Sequence, residues 1–216
     1  IMPISFEKID FEKYVDYSVK YPILFLKKND GYLPPNGQTF KDFLNGNLNI
    51  VKGRKPTLED FENHLGTIFT EVRLKKIIEI RSLDTCNFGC ICNGPAFFTG
   101  LIYGSLEETF EIIKDWKKEC VMEAYYNAPK MGLNTILEGK KIYEWTKIFL
   151  ELSIRGLERR NELNKSGKNE TIYLKHIEEI IKNKKTRAEI MVENFNKTNN
   201  LEFLINNEEN FSYSGF

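Results

Sequence analysis

A run of alternating residues between Glu71 and Asp84 carries the side chains best suited to chemistry. Read as one β-strand, it turns successive side chains to opposite faces. One face then carries charges of both signs, at Glu71, Arg73, Lys75, Glu79 and Arg81 with Ile77. The other face is mainly apolar, with Val72, Leu74, Ile78, Ile80 and Lys76. A core requires the apolar face but no carboxylate between arginines, so the pattern favours a site that binds a polyanion through a metal and guanidinium groups.

Glu79 and Arg81 point the same way on such a strand, about 7 Å apart. Glu79 could bind Mg²⁺, which takes one or two carboxylates together with phosphate oxygens. Arg81 could contact a phosphate with its planar fork, and Arg73 could take a substrate carboxylate. These roles favour phosphoryl transfer to a carboxylic acid, where positioning and charge neutralisation dominate. On spacing alone, a solvated edge strand with cross-strand salt bridges is the alternative interpretation.

The elements around this strand predict an α+β chain. Thr57 begins a helix, Leu58 to Leu65, whose His64 could face the site or be a satisfied buried histidine. A strand at Tyr21 to Leu26 and a turn at Asn29-Asp30-Gly31 predict a hairpin. Thr39 caps a further helix, Phe40 to Asn45. Only about three strands are predicted, too few to close a core, so we expect other strands from a segment outside this chain.

Helical periodicity dominates from Ala96 onward. Helices are predicted at Ala96 to Tyr103, Lys141 to Arg160, Glu170 to Asn183 and Thr186 to Thr198. Another is predicted to be capped by Ser105 and to run through Trp116 and beyond. We therefore predict a catalytic sheet portion at 1–90, a helical region at 91–206 and a loose tail at 207–216.

Composition narrows the class of protein. Lys+Arg and Asp+Glu both total 31, and this neutral balance disfavours nucleic acid as a partner. No apolar run is long enough to span a membrane, and residues 1–10 lack a signal-peptide core, so we expect a cytosolic protein. Cys86, Cys90 and Cys92 lack the spacing usual for zinc, and we expect these three and Cys120 to be free thiols, since a reducing cytosol disfavours disulfides.

Seven ordered segments resemble the glutamate–cysteine ligases of the plant and alphaproteobacterial type. The central ones are Glu71-Val72-Arg73-Leu74-Lys75 and Glu79-Ile80-Arg81, which are similar to that family's E-V-R-x-K and E-x-R. The others are Phe11 to Tyr17, Gly37 to Leu44, Glu62 to Phe69, Pro95 to Tyr103 and Gly156 to Arg160. The order and offsets of the segments are more specific than any one of them.

The resemblance implies an ATP- and Mg²⁺-dependent ligase that joins the γ-carboxyl of glutamate to the amine of cysteine, through γ-glutamyl phosphate, in glutathione synthesis. It implies a fold related to glutamine synthetase, with a curved antiparallel sheet. It assigns Glu79 to the metal, Arg81 to the phosphates and Arg73 to the glutamate. Thr67 and His64 fall in a motif that flanks the site for substrate and ATP.

The resemblance covers only the C-terminal half of that family, and the chain starts at Ile1 rather than Met. We therefore expect a fragment whose partner is the missing N-terminal half, and an isolated chain that is not a competent ligase. The Cys-rich loop, Thr85 to Gly94, departs from the family and leaves open a ligase with another amine substrate. A non-enzymatic remnant is the third interpretation, which the DNA upstream of Ile1 would test.

Overall fold

A computed structural model of the chain describes residues 9–28, 31–83 and 90–202. The chain divides into two compact units, Ile1–Leu83 and Asp84–Phe216. Helices predominate and the strands are short and antiparallel, which confirms the α+β class. Asp84, Cys86, the turn residues Asn29 and Asp30 and the predicted tail at 207–216 lie outside the described residues.

The first unit combines short helices with two hairpins. Its helices are α1 (Phe11–Val19), α2 (Phe40–Leu44) and α3 (Leu58–Gly66), with a 3₁₀ turn at Asn49–Val51. Its strands are β1 (Leu26–Lys28), β2 (Gly31–Leu33), β3 (Val72–Leu74) and β4 (Ile78–Ile80). The strand predicted at Tyr21 to Leu26 is wrong, because the pairing of β1 begins only at Leu26 and Pro22 makes a single bridge to Thr39.

Capping boxes fix the starts of α2 and α3, as the sequence predicted. Thr39 accepts a hydrogen bond from the backbone of Asp42, whose carboxylate accepts one from the backbone of Thr39. Thr57 and Asp60 repeat the arrangement at α3. Each box satisfies donors that a helix start otherwise leaves unpaired. The helices then pack on a buried cluster of Ile23, Leu26, Phe40, Phe43 and Leu48.

The single strand predicted from Glu71 to Asp84 is wrong, because the chain reverses at residues 75–77. β3 and β4 pair as an antiparallel hairpin with Arg73 opposite Glu79, and the Lys75 N–H donates to the Ile77 carbonyl at 2.9 Å. Directly opposed residues of an antiparallel pair share a face. Arg73 and Glu79 therefore lie on one charged face, as predicted, but two strands form this face instead of one.

The second unit is mainly helical. Its helices are α4 (Asn93–Thr99), α5 (Leu106–Ile113), α6 (Lys118–Met131), α7 (Ile142–Arg160), α8 (Lys175–Asn183) and α9 (Arg187–Thr198). A π-helical turn, Gly100–Gly104, follows α4, and 3₁₀ turns occur at Gly132–Asn134 and Glu170–Leu174. A small hairpin joins β5 (Ile136–Leu137) to β6 (Lys140–Lys141). None of the helices in the described ranges has the length and apolar character needed to cross a membrane.

Close contact between α7 and the π-helical turn organises the second unit. A Cβ atom built on Gly156 would lie 2.0 Å from the Gly100 carbonyl oxygen, and one on Gly104 would lie 2.2 Å from the Gly156 carbonyl oxygen. Glycine is required at both positions because any side chain would overlap backbone atoms. Ala96, Leu150, Leu157 and Leu174 form one buried cluster of this unit, and Ala124, Leu137 and Trp145 form another.

Two predictions for the second unit are wrong. Ser105 makes no capping bond to α5; its hydroxyl instead donates to the Leu152 carbonyl at 2.9 Å and accepts from Arg159. The helix it was to open ends at Ile113, and α6 starts separately at Lys118. Cys90 is disulfide-bonded rather than a free thiol, whereas Cys92 and Cys120 are free as expected.

Candidate functional site

Arg73, Glu79 and Arg81 form a continuous ion-pair network on one face of the β3–β4 hairpin. The Arg73 guanidinium donates from Nε to Glu79 Oε2 at 2.8 Å and from Nη2 to Oε1 at 3.1 Å. Arg81 Nη1 donates to the same Oε1 at 3.1 Å. One carboxylate therefore lies between two guanidinium groups, one of them bound through a bidentate fork.

This network keeps Glu79 ionised. The hydrogen bonds from the Arg73 guanidinium lower the pKa of the Glu79 carboxyl below its ordinary value, and the charge of Arg81 adds to the effect. Burial differs along the network: Arg73 is 8% exposed, whereas the side chains of Glu79 and Arg81 are 34% and 28% exposed. The network thus runs from a buried guanidinium to one that solvent and ligands can reach.

The end of α3 holds the buried guanidinium from the other side. Arg73 Nη1 donates to the Gly66 carbonyl oxygen at 2.5 Å. Gly66 is the last residue of α3, where carbonyl groups lack partners within the helix. Thr67 closes the same helix end, since its hydroxyl donates to the His64 carbonyl at 2.8 Å. The motif at 62–69 therefore supports Arg73 through its backbone.

Helix α1 supports the hairpin through a buried tyrosine. The Leu74 N–H donates to the Tyr14 hydroxyl at 3.1 Å, and Tyr14 is only 5% exposed. His64 joins α3 to α1, because its Nε2 lies 2.8 Å from the Ser18 carbonyl oxygen. Its ring also stacks on Phe40, with centroids 4.8 Å apart.

His64 is neutral in this position. A carbonyl oxygen only accepts hydrogen bonds, so Nε2 carries the proton. Nδ1 is buried and has no hydrogen-bond partner in the described structure. Burial lowers the pKa of the His64 imidazole below its ordinary value, outweighing the contact with Ser18.

The predicted site residues separate into two groups. Arg73, Glu79 and Arg81 come together as the alternating pattern indicated. The Arg73–Glu79 pair is a cross-strand salt bridge of the kind that the alternative interpretation described, whereas Arg81 and Glu79 are two positions apart along the chain. His64 and Thr67 instead bond to backbone carbonyls, of Ser18 and His64 respectively, and in the described structure their side chains take no part in the network. The assignments of these five residues to substrate, ATP and metal remain predictions.

The described residues do not provide a magnesium site by themselves. Glu79 is the single carboxylate of the network, and it already accepts hydrogen bonds from two cations. No group of three or more His, Cys, Asp or Glu side chains that could hold a metal occurs among residues 9–28, 31–83 and 90–202. Two guanidiniums and one carboxylate carry a net positive charge, which attracts an anion rather than a cation.

Sequence reasoning missed three residues that shape this site. Tyr14, Gly66 and Phe69 all lie inside the matched segments, but no role was predicted for them. Phe69 contributes its ring, whose centroid lies 5.5 Å from the Arg81 guanidinium carbon. An aromatic residue shortly before a charged strand is a usable signal for such a contact. The bond of Tyr14 joins residues 60 positions apart and leaves no local signal, whereas that of Gly66 joins residues only seven positions apart.

Two other matched segments meet in the second unit. Gly100 and Gly104, from the segment 95–103 and the residue after it, pack on Gly156 of the segment 156–160. The Arg160 guanidinium carbon lies 5.6 Å from the centroid of the Tyr103 ring. Arg159 donates to Ser105 Oγ at 2.6 Å and to Glu108 at 2.8 Å. These segments are therefore explained by helix packing.

Comparison with known proteins identifies the same family that the seven ordered segments resemble. The family model described as glutamate-cysteine ligase family 2 (GCS2) matches residues 1–207. A chloroplastic glutamate–cysteine ligase of Solanum lycopersicum is 36% identical over 196 residues, which cover 89% of this chain and 36% of that protein. Glutamate–cysteine ligase A of Oryza sativa subsp. indica, also chloroplastic, is 36% identical over 192 residues, covering 88% and 38%. The Arabidopsis thaliana chloroplastic enzyme is 34% identical over 199 residues, covering 91% and 37%. The chain thus spans just over a third of the length of these relatives.

Proposed function

The chain belongs to glutamate-cysteine ligase family 2, and we propose that it is part of an enzyme that joins glutamate to cysteine in the first step of glutathione synthesis. The match of the family model over residues 1–207 carries this proposal. The charged face of the β3–β4 hairpin supports it, because two arginines around one carboxylate suit a substrate rich in oxyanions.

The proposed reaction has two steps. The γ-carboxylate oxygen of glutamate attacks the γ-phosphorus of ATP, ADP leaves, and γ-glutamyl phosphate forms. The cysteine amine then attacks the γ-carbonyl carbon, the C–O bond to phosphate breaks, and the nitrogen loses a proton. Negative charge builds up on phosphoryl oxygens in both steps, so guanidinium groups held in place favour them. Arg81 is the more exposed guanidinium of the network on this face and is suited to that role.

The proposal includes ATP as a reactant and Mg²⁺ as a cofactor, as the resemblance to the family implies. The described residues lack a set of metal ligands. Glu79 would supply one ligand at most, and further carboxylates would have to come from elsewhere in the enzyme. A glutamine synthetase-like sheet, a cytosolic location and an N-terminal half supplied from outside this chain remain parts of the proposal, although the relatives named above are chloroplastic.

The test is a ligase assay on the complete polypeptide that the gene encodes. Sequencing the DNA upstream of Ile1 establishes what that polypeptide is. Purified protein would be incubated with ATP, glutamate and either cysteine or another amine, and ADP and dipeptide would be quantified. We expect ADP release that depends on cysteine, with γ-glutamylcysteine as product. If cysteine gives no more ADP than the control without amine, the proposal for cysteine is wrong, and a product with another amine identifies the alternative ligase.

The same assay tests the charged face. Glu79→Gln removes the charge that holds both guanidiniums without changing side-chain volume, so we expect product formation to be abolished while the fold is kept. Arg54→Lys is the matched control, since Arg54 pairs with Asp60 in the same unit but outside the network. Near-normal activity of the Glu79 variant would contradict any role for this carboxylate in the site.

A further inference from the structure

All three nitrogens of the Arg73 guanidinium are engaged by the protein itself. Nε and Nη2 donate to the two oxygens of Glu79, and Nη1 donates to the Gly66 carbonyl. The residue is 8% exposed. Two of the five N–H donors of this guanidinium are left over, but burial gives a substrate carboxylate little access to them unless Glu79 or the end of α3 moves. Arg73 is therefore badly placed for the substrate contact predicted from the sequence.

Arg81 is in the opposite situation. Among the described residues its guanidinium donates only through Nη1, to Glu79 Oε1 at 3.1 Å, so Nε and Nη2 remain available to a ligand. Its side chain is 28% exposed and lies against the Phe69 ring, which is itself 56% exposed. The carboxylate of Glu79 and the ring of Phe69 both restrict the orientation of this guanidinium.

We propose that Arg73 is a positioning residue, which acts through Glu79 to hold Arg81 ready to bind an oxyanion of the substrate, either a phosphate or a carboxylate. The role of Arg73 follows from its contacts alone, whereas the nature of the oxyanion rests on the proposed function. The physical basis is preorganisation. A bidentate fork fixes both oxygens of Glu79 in a plane, so Arg81 meets an acceptor of fixed direction and loses less freedom when a ligand binds.

The first test needs no ligand and measures Arg81 in the full 216-residue chain. In protein labelled with ¹⁵N, the Nε–H of each arginine gives its own signal, and its exchange with solvent reports how well the guanidinium is held. Arg73→Lys keeps the positive charge but removes the fork. We expect the Arg81 Nε–H to exchange several-fold faster in this variant, with a changed chemical shift.

Arg54→Lys serves as the matched control for general loosening of the unit. Arg54 Nη2 contacts both oxygens of Asp60, at 2.9 and 2.7 Å, but takes no part in the network. This variant should leave Arg81 unchanged. If Arg73→Lys does not alter the Arg81 signal, or if Arg54→Lys alters it equally, the positioning role is overturned.

The second test titrates the same chain with inorganic triphosphate, and separately with L-glutamate, at constant ionic strength. We expect a saturable shift of the Arg81 Nε–H without one at Arg73, loss of the shift in Arg81→Gln, and about tenfold weaker binding in Arg73→Lys. Saturation by triphosphate identifies a phosphate ligand, and saturation by glutamate identifies a carboxylate. A shift at Arg73 rather than Arg81 overturns the positioning role while leaving the proposed function standing. The absence of a shift at both arginines overturns Arg81 as the oxyanion contact, whereas the ligase assay on the complete polypeptide tests the proposed function separately.

Discussion

Substituting Gly156 by alanine adds a single methyl group but should destabilise the second unit strongly. The added Cβ would lie 2.0 Å from the Gly100 carbonyl oxygen and 2.9 Å from Ser105 Oγ. Carbon and oxygen normally stay well over 3 Å apart, so α7 and the π-helical turn would have to separate by about 1 Å. Because the atom in the way is backbone, a rotamer change cannot relieve the overlap.

The size of the effect follows from two opposing terms. Forcing an extra carbon into a closely packed interior costs about 1–3 kcal/mol, and a clash with backbone belongs at the upper end. Alanine regains up to about 1 kcal/mol over glycine within a helix. We therefore expect Gly156→Ala to lower the free energy of unfolding by about 2 kcal/mol. For a unit of this size, that corresponds to a fall in Tm of about 8 °C.

Tryptophan fluorescence measures this unit selectively. Both tryptophans of the chain, Trp116 and Trp145, lie in the second unit, 5.0 Å apart between ring centroids. Thermal unfolding followed by fluorescence should therefore show the loss in Gly156→Ala and a similar loss in Gly104→Ala. The double variant should lose less than the sum of the two, because both substitutions open the same contact.

Gly66→Ala is the control. Gly66 is also helical, but a Cβ there would meet only the end of the Lys75 side chain, at 3.9 Å, and it belongs to the first unit. The fluorescence midpoint should stay unchanged in this variant. An unchanged or raised midpoint in Gly156→Ala would refute the close approach of the two helical segments.

Three further predictions concern single contacts. The lowered pKa of His64 means that the unfolded chain binds a proton more readily than the folded chain. The first unit should therefore be most stable above about pH 6.5 and lose stability as the pH falls. Denaturation of wild type and His64→Gln at pH 7.5 and 5.5 should show a flatter pH dependence of stability in the variant, and an equal dependence in the two proteins would contradict this. Tyr14→Phe removes the acceptor of the Leu74 N–H, which should cost about 1–2 kcal/mol and speed hydrogen exchange at that amide first; uniform exchange across the unit would argue against a specific contact. Thr186→Ala breaks the capping box of α9 and should cost about 1 kcal/mol, measured by urea unfolding, with an unchanged midpoint as the contrary result.

The charged face could be predicted from the sequence, but the reversal that divides it between two strands could not. Arg73 and Glu79 are six residues apart, so they share a face in one extended strand and again when a turn places them opposite each other. Alternation alone cannot distinguish these two cases. The turn at Lys75-Lys76-Ile77 contains no Gly, Pro, Asn or Asp, which are the residues that usually mark a reversal. The hairpin is fixed instead by long-range bonds, such as that of Tyr14 to Leu74.

Helix starts were predictable wherever a local bond decided them. Thr39, Thr57 and Thr186 each bond to a residue three positions ahead, which the sequence displays directly. Ser105 is likewise a hydroxyl residue ahead of a helix, but it bonds to Leu152, 47 residues away. Its hydroxyl lies where Gly104 and Gly156 bring two backbones together, and a carbonyl acceptor is available there. Tertiary packing therefore overrides a local preference that the sequence alone suggested.

The charge balance of the network explains why a buried arginine behind the site is useful for binding an anion. If Arg81 alone faced Glu79, the carboxylate would neutralise it, and a substrate oxyanion would have to compete with Glu79 for the same guanidinium. Arg73 instead holds both oxygens of Glu79 in its fork and compensates the carboxylate charge, leaving the network with one net positive charge. That charge is located towards Arg81, the more exposed of the two arginines. The salt bridges that a purely structural interpretation would cite are thus the same contacts that would make Arg81 an effective oxyanion ligand.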